Sequence, residues 1–116
     1  LEFKKSNRKI IITSDHGTTL VKKPVIVKGD RLTSSGLRYK KGRNLSVSKK
    51  EGIVVKNPSD FWLPFDNSNE NYIIAKHDYF FVYPNDYNHY KNMYINSFQH
   101  GGISVDEIFL PIIELS

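Results

Sequence analysis

Ile10-Ile11-Ile12 is a run of three β-branched apolar residues that leads directly into Thr13-Ser14-Asp15-His16-Gly17. Successive side chains of a strand point to opposite faces, so a run with no polar alternation predicts a strand over residues 9–14 buried on both faces. Strands of that kind belong to the parallel sheets of α/β folds. Chemistry in open α/β sheets gathers outside the carboxyl ends of the strands. Asp15 and His16 are the first polar residues past this strand end, where a site is expected.

The rest of the chain reads as short strands separated by polar turns. Val25-Ile26-Val27 and Ile53-Val54-Val55 are strand candidates. Residues 30–44 read as a polar, basic loop carrying Arg31, Arg38, Lys40, Lys41 and Arg43, with Gly36 and Gly42 as turns. Asn57-Pro58-Ser59-Asp60 reads as a turn, with an apolar patch over residues 61–65 packed beneath it. Trp62 is read as a packing residue. Residues 72–76 and 79–83 flank His77-Asp78 and predict a hairpin. Residues 87–98 place Tyr87, Tyr90, Met93, Tyr94 and Phe98 near one stripe of a helix, and the tyrosines read as a core face. Paired glycines after His100 suit a sharp exit with positive φ. Ser104-Val105-Asp106-Glu107 matches a capping box and predicts a short helix from Val105. Pro111 argues that the closing apolar run is an edge strand or carries a bulge.

The balance of 39% hydrophobic and 25% charged residues over 116 positions is that of a globular chain. No apolar run reaches the roughly 20 residues of a membrane span, so no membrane partner is expected. Without cysteine there is no disulfide framework and no thiolate zinc site, which fits a reducing, cytoplasmic compartment. A net charge of +5 favours anionic ligands, and phosphate-bearing ones are the obvious class.

Two motifs carry the chemistry. Asp15 and His16 are oxygen and nitrogen ligands of the type a zinc-like cation accepts, and Gly17 lets the backbone turn so that both can converge. The same tripeptide can equally be a turn whose Asp bonds the local backbone. His100 stands beside Gly101-Gly102 at the end of the predicted helix. It is either a ligand or a cap favoured by the helix dipole. His77 and His89 read as a turn residue and a surface residue.

Ile10 to Gly17 resembles the strand-end Asp-His motif of alkaline phosphatase superfamily enzymes. Phe98-Gln99-His100-Gly101-Gly102-Ile103-Ser104, followed by Asp106-Glu107 and Pro111, resembles the closing segment of PglZ domains. Gly29-Asp30, residues 37–40 and residues 81–85 resemble the C-terminal region of PorX-type response regulators of Bacteroidetes, which are linked to type IX secretion.

The resemblance implies an α/β fold: the C-terminal part of an alkaline-phosphatase-like α/β/α sandwich, with an inserted β-hairpin and loop region. It implies a metal-dependent phosphodiesterase or phosphatase acting on a phosphate ester or nucleotide. The site would hold two metals, usually zinc, with Asp15 and His16 on one and His100 on the other. Arg38, Lys40 and Arg43 are the candidates for gripping substrate phosphates, Arg38 first because its planar fork is bidentate. No position matches the family's nucleophile. The chain opens on Leu1 rather than Met, so the expectation is a portion of a larger domain, inactive alone. Its partners would be the N-terminal part of the same domain and, through exposed strand edges, a second copy as a homodimer. The alternative is a non-catalytic regulatory module that binds a nucleotide or a protein partner.

Overall fold

The computed structural model describes residues 8–32, 34–67 and 69–116, so residues 1–7, Thr33 and Ser68 lie outside it. The strands are β1 (Ile10–Thr13), β2 (Thr19–Leu20), β3 (Lys23–Ile26), β4 (Arg31–Leu32), β5 (Tyr39–Arg43), β6 (Gly52–Val55), β7 (Glu70–Ala75), β8 (Tyr79–Val82), β9 (Phe98–Gln99) and β10 (Ile112–Leu115). The helices are α1 (Tyr87–Tyr94) and α2 (Val105–Ile108), with a 3-10 turn over Pro58–Phe61. Helix and strand are mixed, as expected of an α/β chain, but the sheets are small.

The largest sheet has the order β4-β5-β7-β6, antiparallel throughout. Strand β3 runs parallel to β8, with Val25 opposite Phe81. Phe80 and Phe81 are adjacent in β8, point to opposite sides, and are both fully buried. Phe81 joins Val25, Val27, Leu45, Ile73 and Ala75 in one core cluster. Phe80 joins Val21 and Val82 in a second, which is closed by Leu37, Tyr87, Tyr90, Tyr94 and Ile95. Strand β8 is therefore the wall shared by two cores. The tyrosines of α1 serve the second core, as their spacing predicts.

Several expectations are corrected. The basic segment 30–44 is not a loop: it contains β4 and β5, and Lys40 and Gly42 face inward from β5. A lysine stem can line a core when its ammonium finds a partner, and Lys40 Nζ lies 4.3 Å from the centre of the Tyr83 ring. β7 and β8 do not form a hairpin. The turn between them exists, with His77 at φ 46° and Tyr79 N–H donating to the Lys76 carbonyl at 3.1 Å. However, the Asp78 carbonyl accepts the Lys22 and Lys23 amides at 2.8 and 3.1 Å, which draws β8 to β3 instead.

The tyrosine stripe ends at Tyr94. Asn96 takes φ 61°, and Phe98 continues as a strand with 69% of its surface exposed. The patch at residues 61–65 is not packed under its turn: Trp62 is 95% exposed. Finally, β1 pairs antiparallel with β10, and Ile11 and Ile12 are exposed rather than buried. One face of this ribbon, Ile10, Ile12, Ile113 and Leu115, is wholly apolar, and the other mixes Ile11 and Ile112 with Thr13 and Glu114. Ile12 and Ile113 are about half exposed. Pro111 immediately precedes β10, where its missing N–H interrupts no ladder bond.

Candidate functional site

The site forms where two corners leave one short ladder. β2 pairs antiparallel with β9, Thr19 opposite Gln99 and Leu20 opposite Phe98. The chain running back from Thr19 and the chain running on from Gln99 therefore leave the ladder at the same end. The first carries Asp15-His16-Gly17 and the second carries His100-Gly101-Gly102. Their imidazoles meet: the rings of His16 and His100 are stacked with centroids 3.9 Å apart and planes 18° from parallel.

Local bonds shape each corner. Ser14 Oγ donates to the His16 carbonyl at 2.7 Å, which tightens the turn after β1. His16 Nδ1 lies 3.0 Å from the Gly17 carbonyl oxygen. Bonding to a carbonyl requires Nδ1 to carry the proton, which leaves the lone pair of the neutral ring on Nε2. Asp15 Oδ1 is 3.6 Å from that Nε2, and the Asp15 side chain is otherwise open to solvent. On the other corner, Gly101 takes φ +95°, and a Cβ there would stand 3.4 Å from the Tyr39 ring. Gly102 N–H donates to Glu107 Oε1 at 2.9 Å.

Glu107 ties the corners together. Its carboxylate accepts Arg38 Nε at 2.9 Å, Arg38 Nη2 at 3.1 Å, Ser104 Oγ at 2.7 Å and Ser104 N–H at 3.0 Å. Its backbone carbonyl accepts Gly17 N–H at 3.1 Å. Burial pushes the Glu107 carboxyl up, but the bonds from Arg38, Ser104 and Gly102 outweigh burial and hold it below its ordinary value.

The three basic residues expected at the substrate fall in different environments. Arg38 is fully buried. Besides its two bonds to Glu107, it donates to the Tyr79 and Ala75 carbonyls, so its fork is closed around protein oxygens rather than open to a phosphate. Lys40 is also fully buried, with Nζ 3.5 Å from the Ser34 carbonyl, and desolvation lowers its pKa to about 8. Of the three, only Arg43 is exposed. His77 and His89 are both exposed, and neither joins the histidine stack.

An open cleft of about 800 Å³ is lined in part by Thr19, Lys22, Lys76, His77, Ser104 and Asp106, and Asp15, His16 and His100 are not in its lining. Two imidazoles and a carboxylate are donors that suit a zinc-like cation. Among the described residues, however, no three His, Asp or Glu side chains converge as a metal-holding group. The residues fit such a site as part of its ligand set, not as the whole of it.

A family model for the BREX system PglZ alkaline phosphatase-like domain matches residues 3–115. The chain belongs to the PglZ family. That membership implies hydrolase activity in the family, and the match takes in both histidine corners. No curated protein matches the chain.

The bonding role of Glu107 is only half visible in the PglZ chain's sequence. Ser104-x-x-Glu107 signals a capping box, and the structure has one. Nothing local signals Arg38, which lies 69 positions away.

Proposed function

We propose that this PglZ-family chain contributes part of the two-metal centre of a phosphate-ester hydrolase, acting on a phosphodiester or phosphomonoester of nucleotide type. The stacking of His16 on His100 carries this reading. The rings lie face to face in nearly parallel planes, and an imidazole lone pair lies in its ring plane, so each ring can address its own cation rather than share one. Cations in two-metal phosphoryl sites lie about 3.5–4 Å apart, close to the 3.9 Å between these rings. Asp15 and His16 would serve one cation and His100 the other. Bound zinc would supply charge neutralisation of the phosphoryl oxygens and a more acidic hydroxyl.

The chain's own residues hold the candidate ligands in place. Of the three basic candidates, Arg43 is the one open to a phosphate, while Arg38 and Lys40 act within the core. The remaining ligands and the nucleophile would come from elements packed on the exposed apolar ribbon of β1 and β10, which the 116 residues alone would leave inactive. The PorX-like segments support a role as the output domain of a response regulator in the cytoplasm. Among the described residues, no helix is long and apolar enough to cross a membrane.

The test is hydrolysis of a chromogenic phosphodiester by the intact protein, alongside its zinc content. Asp15→Ala and His100→Ala are each expected to abolish metal-dependent turnover. Full activity in both variants would end the proposal.

One observation favours a second reading. With no three donors converging among the described residues, the corner also suits a non-catalytic module that binds a nucleotide or a protein partner. Elemental measurement on the intact protein separates the two: about two zinc ions per chain supports the enzyme, and none supports the module.

A further inference from the structure

We propose that Arg38 and Glu107 are a positioning pair that keeps the two histidine corners together. The proposal rests on the reading of those corners as ligands, and it adds how their register is held.

Each of the four groups that fix the arrangement touches Glu107. Its carboxylate takes the backbone of the His100 corner through Gly102, and its carbonyl takes the backbone of the His16 corner through Gly17. Both glycines are required by closeness to this one residue. A Cβ on Gly17 would overlap the Asp106 carbonyl oxygen and reach the Glu107 backbone at 2.9 Å. A Cβ on Gly102 would stand 2.6 Å from Glu107 Oε2. The third group is Ser104, whose hydroxyl and amide close the capping box onto the same carboxylate.

Arg38 is the fourth, and it anchors the arrangement to the core. It precedes β5, and its guanidinium also bonds the carbonyl at the end of β7 and the carbonyl at the start of β8. Side-chain exposure of Arg38 and Glu107 is 0% and 1%, so the fork-to-fork geometry is shielded from water. A single short helix such as α2 could pivot on its loops. Bonding its Glu107 to a guanidinium fixed by three strands removes that freedom. Ligand-orienting contacts of this kind typically change metal affinity roughly ten- to a hundredfold when removed.

The experiment uses the intact protein with labelled histidines and no added metal. NOEs between the His16 and His100 rings, with the upfield displacement of their ring protons, report the stack directly. A double variant, Arg38→Gln with Glu107→Gln, removes both buried charges together and so avoids stranding either one. It is expected to keep the amide pattern of the β5-β7-β6 core, to lose the inter-ring NOEs, and to bind zinc roughly ten- to a hundredfold more weakly. A folded double variant with undiminished inter-ring NOEs overturns the proposal.

Should the double variant fail to fold, Gly17→Ala decides. It pushes the His16 corner off the Asp106–Glu107 backbone while keeping both charged side chains of the buried pair. Loss of the NOEs in that variant supports the proposal, and their retention overturns it. Wild-type protein that shows the stack but takes up no zinc refutes the ligand reading while leaving the positioning pair standing.

Discussion

The imidazole of His16 lies face to face with that of His100, although one follows β1 near the start of the chain and the other follows β9 near its end. Two paired residues on each side, Thr19 with Gln99 and Leu20 with Phe98, bring them there. Because His100 is exposed and packs in neither core cluster, its removal should separate function from folding. His100→Ala is expected to shift stability by no more than about 0.5 kcal/mol. Zinc uptake by the intact protein should fall sharply in the same variant. Urea denaturation and metal titration on one preparation check both.

The buried Arg38–Glu107 pair predicts acid sensitivity. The Glu107 carboxyl is held below its ordinary value of 4.5, so its contribution is present above that pH and is lost as pH falls through the lower, folded value. One such group gives a slope of at most about 1.4 kcal/mol per pH unit. Subtracting the stability of the Arg38→Gln/Glu107→Gln variant from that of wild type at each pH should expose this slope below about pH 4.5. A difference that stays flat through the acid range would contradict it.

Lys40 predicts the opposite end of the scale. Its pKa falls from 10.5 to about 8 because burial disfavours the charged form. The unfolded chain therefore binds the proton more tightly, and stability should rise with pH between about 8 and 10.5. Below that window the full cost of burying the charge is present. Lys40→Met should remove the rise and stabilise the protein at pH 7, provided the Tyr83 contact contributes less than the desolvation it offsets. Urea midpoints of the two proteins across the window test the sign.

The β1–β10 ribbon predicts association. Ile12 and Ile113 are cross-strand partners, 49% and 50% exposed, and Ile112 is 76% exposed. An apolar two-stranded ribbon of this kind is a template for further pairing or packing. The 116-residue chain produced alone should self-associate, and Ile12→Lys should reduce that without altering the unfolding of the Phe81 core. Sedimentation velocity at several concentrations measures the change.

Much of the local structure was legible in the residues. The capping box at Ser104 and Glu107 forms as its spacing requires, because a side chain three positions on can reach back only in a helical turn. Tyr87, Tyr90 and Tyr94 share a helix face and are half-buried against the Phe80 core, and Gly101 takes the positive φ its position suggested. His16 and His100, whose rings stack, stood out because each is a metal-type donor beside a glycine at an element end. Illegible was the strand character of residues 39–43, where charge reads as loop but lysine stems pack as apolar matter once the heads are bonded. The parallel partner of β8 was equally hidden, since the diverting contact is between the Asp78 carbonyl and amides in another part of the chain.

By itself the sequence determined the short-range features: which segments extend, where α2 begins, and which donors flank the glycines. These follow from periodicity and from contacts within a few positions. Only the tertiary structure decided that His16 stacks on His100, that Arg38 closes on Glu107 instead of facing solvent, and that β1 pairs antiparallel with β10. Each of these joins residues far apart in the chain, and a long-range contact is selected by the packing of the whole rather than by the propensity of either partner.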